Sequence, residues 1–228
     1  MQIKKIGIIG LGTIGRKLCE YLSEKGFIVY AYNYRNIKHK EKEINKNIEK
    51  KVKYNKISYH EFENIIKRIS FVDDLKELNN VDLIIDSSVE SYEIKKTIYQ
   101  KLSKIGIKRP IGCTTSSLDI IKISENYYKN FLFGLHFFNP PTKMKLVELC
   151  FLKENSVKFR NKIFSFLNHL DDKVIIELPI IQGYIVNRIL FVYINYAIKF
   201  MNENNLEPKI IDKPMKLGTN VPMGTLEL

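Results

Sequence analysis

The chain has 228 residues, of which 45% are hydrophobic and 27% are charged. This composition is close to that of folded globular proteins, so it excludes a disordered chain and allows one domain with a smaller second one. No apolar run reaches the roughly 18 to 20 residues that a membrane span needs, and no signal peptide is recognisable. The three scattered cysteines favour neither a disulfide framework nor a zinc site, so we expect a cytoplasmic protein without a metal.

The chain is strongly basic, with 37 basic and 25 acidic side chains and a net charge of +12. Such a charge would attract anionic ligands such as nucleotides, coenzyme A or nucleic acid. Lysine is abundant along the whole chain, however, so a composition bias explains the charge more simply. Because the sequence has no recognisable DNA-recognition helix or base-stacking motif, we expect no nucleic-acid partner.

The N-terminal segment has the pattern of a strand, a glycine turn and a helix. Residues 3–9 are rich in β-branched isoleucine, the turn at 10–15 is Gly-Leu-Gly-Thr-Ile-Gly, and 16–25 has helical composition before a second strand at 27–32. In this context the GxGxxG spacing is typical of dinucleotide binding, where the helix N-terminus receives a pyrophosphate. The residues predicted to contact the dinucleotide are Gly10, Gly12, Thr13, Ile14 and Gly15.

The second predicted strand ends where NAD-binding proteins carry an acidic residue that bonds the adenosine ribose. Asn33 occupies this position, and Arg35 follows two residues later. An amide can bond a ribose hydroxyl but does not repel a ribose phosphate, and Arg35 could pair with that phosphate. The cofactor is therefore expected to be NAD, with NADP as the alternative. A neutral Asn33 beside a solvated Arg35 explains the same residues equally well.

The rest of the first domain alternates between strand and helix patterns. Two charged segments between residues 37 and 69 have apolar residues at helical spacing and indicate an inserted helical pair. Further strands are predicted at 70–72, 81–85, 110–113, 131–135, 145–150 and 174–178, and further helices at 92–104 and 157–170. This alternation predicts the α/β class with a Rossmann-type doubly wound, mostly parallel sheet.

A domain boundary is predicted at Gly183. It separates a dinucleotide-binding domain at 1–182 from a small helical domain at 183–228. The second domain should contain a long apolar-rich helix at 185–201 and a shorter helix that begins at Pro208 and ends near Gly218.

Seven ordered sequence blocks carry a resemblance to a known family. They are Gly-Leu-Gly-Thr-Ile-Gly at 10–15, Asp-Leu-Ile-Ile-Asp-Ser-Ser-Val-Glu at 82–90, Thr-Thr-Ser-Ser-Leu at 114–118, His-Phe-Phe-Asn-Pro-Pro at 136–141, Met-Lys-Leu-Val-Glu at 144–148, Ile-Val-Asn-Arg-Ile-Leu at 185–190, and Met-Lys-Leu-Gly with Pro-Met-Gly at 215–224. Over essentially the whole chain they resemble the 3-hydroxyacyl-CoA dehydrogenase family, and within it the 3-hydroxybutyryl-CoA dehydrogenases. The resemblance implies an NAD(P)-dependent oxidoreductase of fatty acid metabolism, which interconverts (3S)-3-hydroxyacyl-CoA and 3-oxoacyl-CoA by hydride transfer.

The resemblance implies catalytic roles for five side chains. His136 would act as the general base, a role suited to imidazole because it exchanges a proton near neutral pH. Glu148 would orient the imidazole ring and stabilise its protonated form. Ser116 and Asn187 would donate hydrogen bonds to the substrate oxygen. Asn139 would support His136.

The same resemblance implies that Glu90, Lys95 and Thr114 contact the cofactor. Thr114 stands where the family usually has asparagine, which could alter nicotinamide binding. For Glu90 and Lys95 the alternative interpretation is a solvated ion pair. Other departures from the family pattern, among them Asp86 in place of glutamate, leave the proposed acid–base pair intact.

The chain ends at Leu228, soon after the Pro-Met-Gly block, where family members continue through further helices. We therefore expect a shortened C-terminal domain, with a homodimer through its helices as the expected assembly. The expected substrate is an acyl-CoA thioester. The same chemistry on an acyl-carrier-protein thioester or a free hydroxy acid is an alternative, as is a non-catalytic dinucleotide-binding sensor or assembly subunit.

Overall fold

The structure, a computed structural model, describes residues 2–124 and 129–228. It consists of two compact units, Met1–Gln182 and Gly183–Leu228. The first unit contains one eight-stranded sheet. Its strands are β1 (Lys5–Ile9), β2 (Ile28–Tyr32), β3 (Ile69–Val72), β4 (Leu83–Asp86), β5 (Ile111–Cys113), β6 (Leu132–Phe137), β7 (Leu146–Phe151) and β8 (Val174–Leu178). They lie side by side in the order β3-β2-β1-β4-β5-β6-β7-β8.

All neighbouring strands of this sheet are parallel except β6 and β7, which are antiparallel. The segment between them is a short turn, in which the amides of Lys143 and Met144 donate to the carbonyl of Pro140. A parallel pair needs a long crossover, usually a helix, so a connection this short imposes the antiparallel direction. The predicted α/β class and mostly parallel Rossmann-type sheet are confirmed.

The helices of the first unit lie between these strands. They are α1 (Thr13–Glu24), α2 (Ile37–Lys53), α3 (Tyr59–Lys67), a short 3-10 helix (Leu75–Asn80), α4 (Tyr92–Ile105), α5 (Ile120–Ser124) and α6 (Val157–Leu167). The predicted helical pair is α2 and α3, which bury Ile44, Ile48 and Ile65 in the core. A capping box begins α3, where the Ser58 hydroxyl accepts from the Glu61 amide.

Several predicted boundaries were wrong. The first helix begins at Thr13 rather than at residue 16, because the glycine turn passes directly into it. Ile69, grouped with the second inserted helix by its spacing, is the first residue of β3. The 3-10 helix and α5 were not predicted, since segments of six and five residues are too short to show helical periodicity.

The strands at the centre of the sheet are buried over their whole length. Every residue of β4 and β6 is buried, as expected when helices cover both faces of a parallel sheet. The core cluster joins these strands to α1, through Leu18 and Leu22, and to α6, through Ile163 and Phe166. Burial of each such side chain stabilises the folded state by roughly 1.5 to 3 kcal/mol. The sheet is therefore a rigid support for the residues at its strand ends.

The second unit contains α7 (Val186–Glu203) and α8 (Pro208–Thr219). The C-terminal turn packs on both helices: the Leu226 amide donates to the buried Asp212 carboxylate at 2.7 Å, and the Thr225 hydroxyl donates to the Tyr193 hydroxyl at 2.7 Å. Within the part of the chain that the structure describes, no helix is both long enough and apolar enough to cross a membrane.

Candidate active site

The turn between β1 and α1 requires glycine at two positions. Gly10 has φ +88°, and a Cβ there would lie 2.7 Å from the carbonyl oxygen of Ser87. At Gly15 a Cβ would lie only 1.9 Å from the carbonyl oxygen of Gly10. Any side chain at these positions would push the turn away from β4 or the helix away from the turn. The glycines thus bring the start of α1 close to the strand ends.

The third glycine of the turn faces open space. A Cβ at Gly12 would meet no atom within 4 Å. Gly12 is the N-cap of α1, where no side chain caps the helix and no acidic residue lies in the first turn. The first helical amides, at Thr13 and Ile14, therefore belong to an uncapped helix end, which is suited to a pyrophosphate. The residues of this turn fit a dinucleotide.

A cavity of about 490 Å³ lies beside this turn and is called the adenosine cavity, after the group that we propose binds in it. The end of β2 lines one side, including Asn33, whose side-chain oxygen accepts from the Leu11 amide at 2.9 Å. The end of β1, Leu75, the loop after β4 and one side of α4 line the rest. On α4, Glu93 precedes four residues of one helix face, Ile94, Thr97, Ile98 and Lys101. These residues were not predicted to bind the cofactor, although their i, i+3, i+4, i+7 spacing marks one face of a helix.

Glu90 holds the loop that follows β5. One carboxylate oxygen accepts from the Thr115 hydroxyl at 2.7 Å, the Ser116 amide at 2.8 Å and the Ser117 amide at 2.9 Å. Burial opposes ionisation of Glu90, but the hydrogen bonds from Thr115 and Ser117 outweigh it and keep the pKa of this carboxyl below its ordinary value. Glu90 thereby positions Ser116. Its contact with the cofactor stays a prediction.

Lys95 is completely buried, so the alternative of a solvated ion pair with Glu90 was wrong. Its ammonium lies 3.1 Å from a carboxylate oxygen of Asp86, which also accepts from the Tyr99 hydroxyl at 2.7 Å. Burial alone would lower the pKa of Lys95, but its negative surroundings, which include Asp86, raise it. Lys95 therefore neutralises a buried carboxylate at the end of β4. Its contact with the cofactor stays a prediction.

Thr114 also turns towards β4. Both its amide and its hydroxyl donate to the carbonyl oxygen of Asp86, at 3.0 and 3.1 Å. These bonds tie the first residue after β5 to the neighbouring strand. The Thr114 side chain is half-buried at the strand ends. Its contact with the cofactor stays a prediction.

His136 and Glu148 are paired across the antiparallel strands. They are direct neighbours in the register of β6 and β7, and His136 Nδ1 lies 2.8 Å from Glu148 Oε2. Both side chains are buried, with 5% and 2% of their surface exposed. With Glu148 as a carboxylate, which can only accept hydrogen bonds, the tautomer that fits this contact has the proton on Nδ1. This bond directs the other ring nitrogen, Nε2, away from β7.

Ser116 lies on the other side of the imidazole ring. Its hydroxyl oxygen is 3.1 Å from His136 Nε2. The ring of Phe138 packs beside the imidazole, with 4.7 Å between ring centroids. The structure therefore brings together three of the five predicted catalytic residues, from the loop after β5, from β6 and from β7. A hydroxyl, an imidazole and a carboxylate in sequence can accept a proton from a bound alcohol and return it.

The two predicted asparagines belong to other elements of the chain. Asn139 is exposed, and its side-chain oxygen accepts from the Lys17 ammonium of α1 at 2.9 Å. This bond links the turn after β6 to α1, and the sequence offers no signal for Lys17. Asn187 belongs to the second unit, as the second residue of α7. Catalytic roles for Asn139 and Asn187 stay predictions.

The chain matches one family of known enzymes over nearly its whole length. Residues 5–179 match the family model described as 3-hydroxyacyl-CoA dehydrogenase, NAD binding domain, and residues 183–228 match that of the C-terminal domain of the same family. The chain belongs to the 3-hydroxyacyl-CoA dehydrogenase family. The resemblance inferred from the sequence blocks is confirmed, as are an oxidoreductase function and NAD as the cofactor.

Individual relatives agree with this assignment. The chain is 32% identical over 228 residues to the 3-hydroxybutyryl-CoA dehydrogenase of Clostridioides difficile, covering 98% of this chain and 81% of that protein. It is 30% identical over 236 residues to the mitochondrial hydroxyacyl-coenzyme A dehydrogenase of Rattus norvegicus, covering 99% and 75%. The crystal structure of (S)-3-hydroxybutyryl-CoA dehydrogenase from Ralstonia eutropha superposes with a TM-score of 0.91 at 28% identity, covering 99% and 81%.

Proposed function

We propose that this protein interconverts (3S)-3-hydroxyacyl-CoA and 3-oxoacyl-CoA, using the buried pair of His136 and Glu148 as its acid–base catalyst. The observation that carries the proposal is the chain of contacts from Glu148 through the imidazole to Ser116, with distances of 2.8 and 3.1 Å. The relatives named for 3-hydroxybutyryl-CoA support a short acyl chain. When bound, the nicotinamide accepts or supplies the hydride at the third carbon of the acyl group.

In the oxidative direction His136 takes the proton of the 3-hydroxyl group on Nε2. The ring can accept it there because Nδ1 already carries the proton that it donates to Glu148. The imidazolium that results is stabilised by the buried carboxylate, whose charge acts strongly in surroundings of low polarity. In the reductive direction the imidazolium returns the proton to the substrate oxygen.

Ser116 orients the substrate oxygen in this mechanism. Its hydroxyl lies at hydrogen-bond distance from Nε2, so it occupies the space next to the reacting oxygen and can donate to that oxygen as negative charge develops. Glu90 supports this role because it accepts the amide hydrogens of Ser116 and Ser117. Asn187 is proposed to donate to the same oxygen, and Asn139 to stabilise the turn after His136 through Lys17.

The turn at 10–15 and the adenosine cavity are proposed to hold the dinucleotide. The uncapped start of α1 would receive the pyrophosphate, and the open space at Gly12 would let it approach the backbone. Asn33 lies at the edge of the cavity and would face the adenosine ribose. Thr114, Glu90 and Lys95 surround the neighbouring strand ends, at which ligands bind in open α/β sheets.

The proposed reaction is tested by following the oxidation of NADH with three 3-oxoacyl substrates: acetoacetyl-CoA, acetoacetyl carrier protein and free acetoacetate. We expect acetoacetyl-CoA to give the highest kcat/KM. A higher kcat/KM for the carrier-protein thioester or the free acid would identify that compound as the substrate class. The proposed hydride-transfer chemistry would then stay the same. Binding of NADH without oxidation by any of the three would instead support a dinucleotide-binding sensor or assembly subunit.

A homodimer through the helices of the second unit is proposed on the apolar surface of α7. Ile189, Phe191, Val192 and Tyr196 are each 59 to 70% exposed on this helix. Several large apolar side chains exposed together on one helix usually mark an interaction surface. Sedimentation of the wild-type protein should give a dimer, and Phe191→Ser should shift it towards the monomer; a wild-type monomer at all concentrations would refute the assembly.

The cytoplasm is the proposed location, because the three cysteines are buried thiols that suit a reducing compartment.

A further inference from the structure

Two cations meet at one tyrosine at the rim of the adenosine cavity. Tyr34 follows β2 and is 72% exposed. The guanidinium of Arg35 lies 5.6 Å from the centre of its ring, and the ammonium of Lys101, from α4, lies 5.3 Å from the same centre. All three residues line the cavity. Neither cation takes part in an ion pair within residues 2–124 and 129–228, so their charge is available to an anion.

The side chain that separates this cationic rim from the glycine turn is neutral. Asn33 accepts from the Leu11 amide at 2.9 Å, and its own amide donates to the Arg35 carbonyl. These two bonds hold the carboxamide between the turn and the backbone of Arg35. A carboxylate at this position would repel a second phosphate on the ribose, whereas an amide does not.

Three acidic side chains lie near this cationic rim. Glu93 also lines the cavity, but it lies eight residues before Lys101 on α4, which is about 12 Å along the helix axis. Asp73 and Asp74 lie with Lys101 and Lys104 around a neighbouring surface depression. Of the charged residues that line the cavity, two are cationic, Arg35 and Lys101, and one is acidic, Glu93.

We infer that Arg35 and Lys101 bind a phosphate on the adenosine ribose, so that this protein uses NADP(H) in addition to NAD(H). A guanidinium can bind phosphate through two parallel hydrogen bonds, and a lysine adds a point charge. Both cations lie within cation–π distance of the Tyr34 ring, and Tyr34 follows Asn33 directly in the chain. The inference rests on the proposed dinucleotide site but not on the proposed substrate or on turnover.

The direct test uses fragments that lack nicotinamide. Isothermal titration of the full chain with adenosine 2′,5′-bisphosphate and with 5′-AMP isolates the contribution of the ribose phosphate. We expect the bisphosphate to bind at least about tenfold more tightly than 5′-AMP, as for a charge-assisted pair of hydrogen bonds. Equal affinity, or tighter binding of 5′-AMP, would overturn the inference.

Substitutions show which residues are responsible for tighter binding of the bisphosphate. Arg35→Ala should remove most of the advantage of the bisphosphate while changing 5′-AMP affinity by less than about twofold, and Lys101→Ala should remove a smaller part. Asn33→Asp should weaken the bisphosphate selectively, since it restores the repelling carboxylate. Lys158→Ala, which removes an exposed cation from α6, is the matched control and should change neither affinity. Equal loss of both ligands in Arg35→Ala would overturn the assignment.

Turnover assays separate this inference from the proposed function. If the protein binds the bisphosphate selectively but neither NADH nor NADPH reduces acetoacetyl-CoA, the proposed reaction fails and the phosphate site stands. If NADH supports turnover while the bisphosphate has no advantage over 5′-AMP, the reaction stands and the phosphate site fails.

Discussion

His136 and Glu148 lie directly opposite each other in the antiparallel pair of β6 and β7, with 2.8 Å between Nδ1 and Oε2. The distance is set by the backbone register of two buried strands. A pair held in this way keeps its geometry without help from a mobile loop, which favours precise proton transfer. The same register explains why residues twelve positions apart in the sequence act as one unit.

Removing the charge of Glu148 should impair catalysis more than binding. We expect Glu148→Gln to lower kcat by roughly two to four orders of magnitude, because a neutral amide stabilises the imidazolium less. The dissociation constant for NADH should stay within about twofold. Glu177→Gln, at a 42% exposed side chain on the adjacent strand β8, is the control and should leave kcat unchanged. A Glu148→Gln variant that keeps more than a tenth of wild-type kcat would contradict the role of the pair.

The two glycines of the dinucleotide turn should respond differently to alanine. Gly15→Ala places a Cβ 1.9 Å from the Gly10 carbonyl oxygen, so we expect a loss of stability of about 2 kcal/mol or more in urea unfolding. Gly12→Ala meets no protein atom within 4 Å and should fold normally. It should nevertheless weaken NADH binding, because the methyl group occupies the space proposed for the pyrophosphate. Unchanged NADH affinity in Gly12→Ala would show that the cofactor does not approach this turn.

Glu90 should make activity and stability depend on its charge. Its pKa is lower in the folded protein than in the unfolded chain, so its stabilising effect is present above roughly pH 4.3 and is lost as the pH falls through the folded-state pKa. We therefore expect Glu90→Gln to be less stable than wild type at pH 7, and the difference to narrow below about pH 4. Urea unfolding of both proteins at several pH values measures this difference in stability. The kcat of Glu90→Gln should also fall, because the loop that carries Ser116 is held less firmly.

The control for Glu90 is Glu49→Gln, which changes an exposed glutamate of α2 that forms no ion pair among the residues that the structure describes. Its stability difference from wild type should be small and should not vary with pH. A Glu90→Gln protein with the same pH dependence of unfolding as this control would refute the role of Glu90 in holding the loop.

The buried ion pair of Lys95 and Asp86 should be essential to folding. Lys95→Met leaves the Asp86 carboxylate buried without its cation, and we expect a loss of about 3 to 5 kcal/mol in urea unfolding. The double variant Lys95→Met with Asp86→Asn should recover part of this loss, since no charge then remains buried. Lys96→Met, at the next position of α4, is the control. If Lys95→Met and Lys96→Met had the same free energy of unfolding, the buried ion pair would not be essential to folding.

Much of the fold could be predicted because its signals are local. The strand, turn and helix at the N-terminus follow from β-branched residues, glycine spacing and helical composition within the first 32 residues. The direction of β7 could not be read in this way, since it depends on the length of a connection rather than on periodicity. Helices of five or six residues, such as α5, leave too short a pattern to recognise.

The candidate site was predictable in its residue types but not in its contacts. Family blocks indicated His136, Glu148 and Ser116, while the bonds from Glu90 to the Ser116 loop join residues more than twenty positions apart. The bond between Lys17 and Asn139 spans 122 positions. Such pairs depend on how the strands are arranged in the sheet, and a single sequence carries no local signal for them. The face of α4 that lines the adenosine cavity, by contrast, could have been found from its helical spacing.

In the proposed mechanism His136 exchanges the proton with the substrate oxygen. The most direct measurement compares wild type with His136→Gln for two quantities: the rate of NADH oxidation by acetoacetyl-CoA, and the dissociation constant for NADH. We predict turnover by the wild type, a loss of roughly a thousandfold or more in the variant, and NADH affinities within about twofold of each other. A variant that retains turnover, or one that loses turnover and NADH binding equally, would contradict the account.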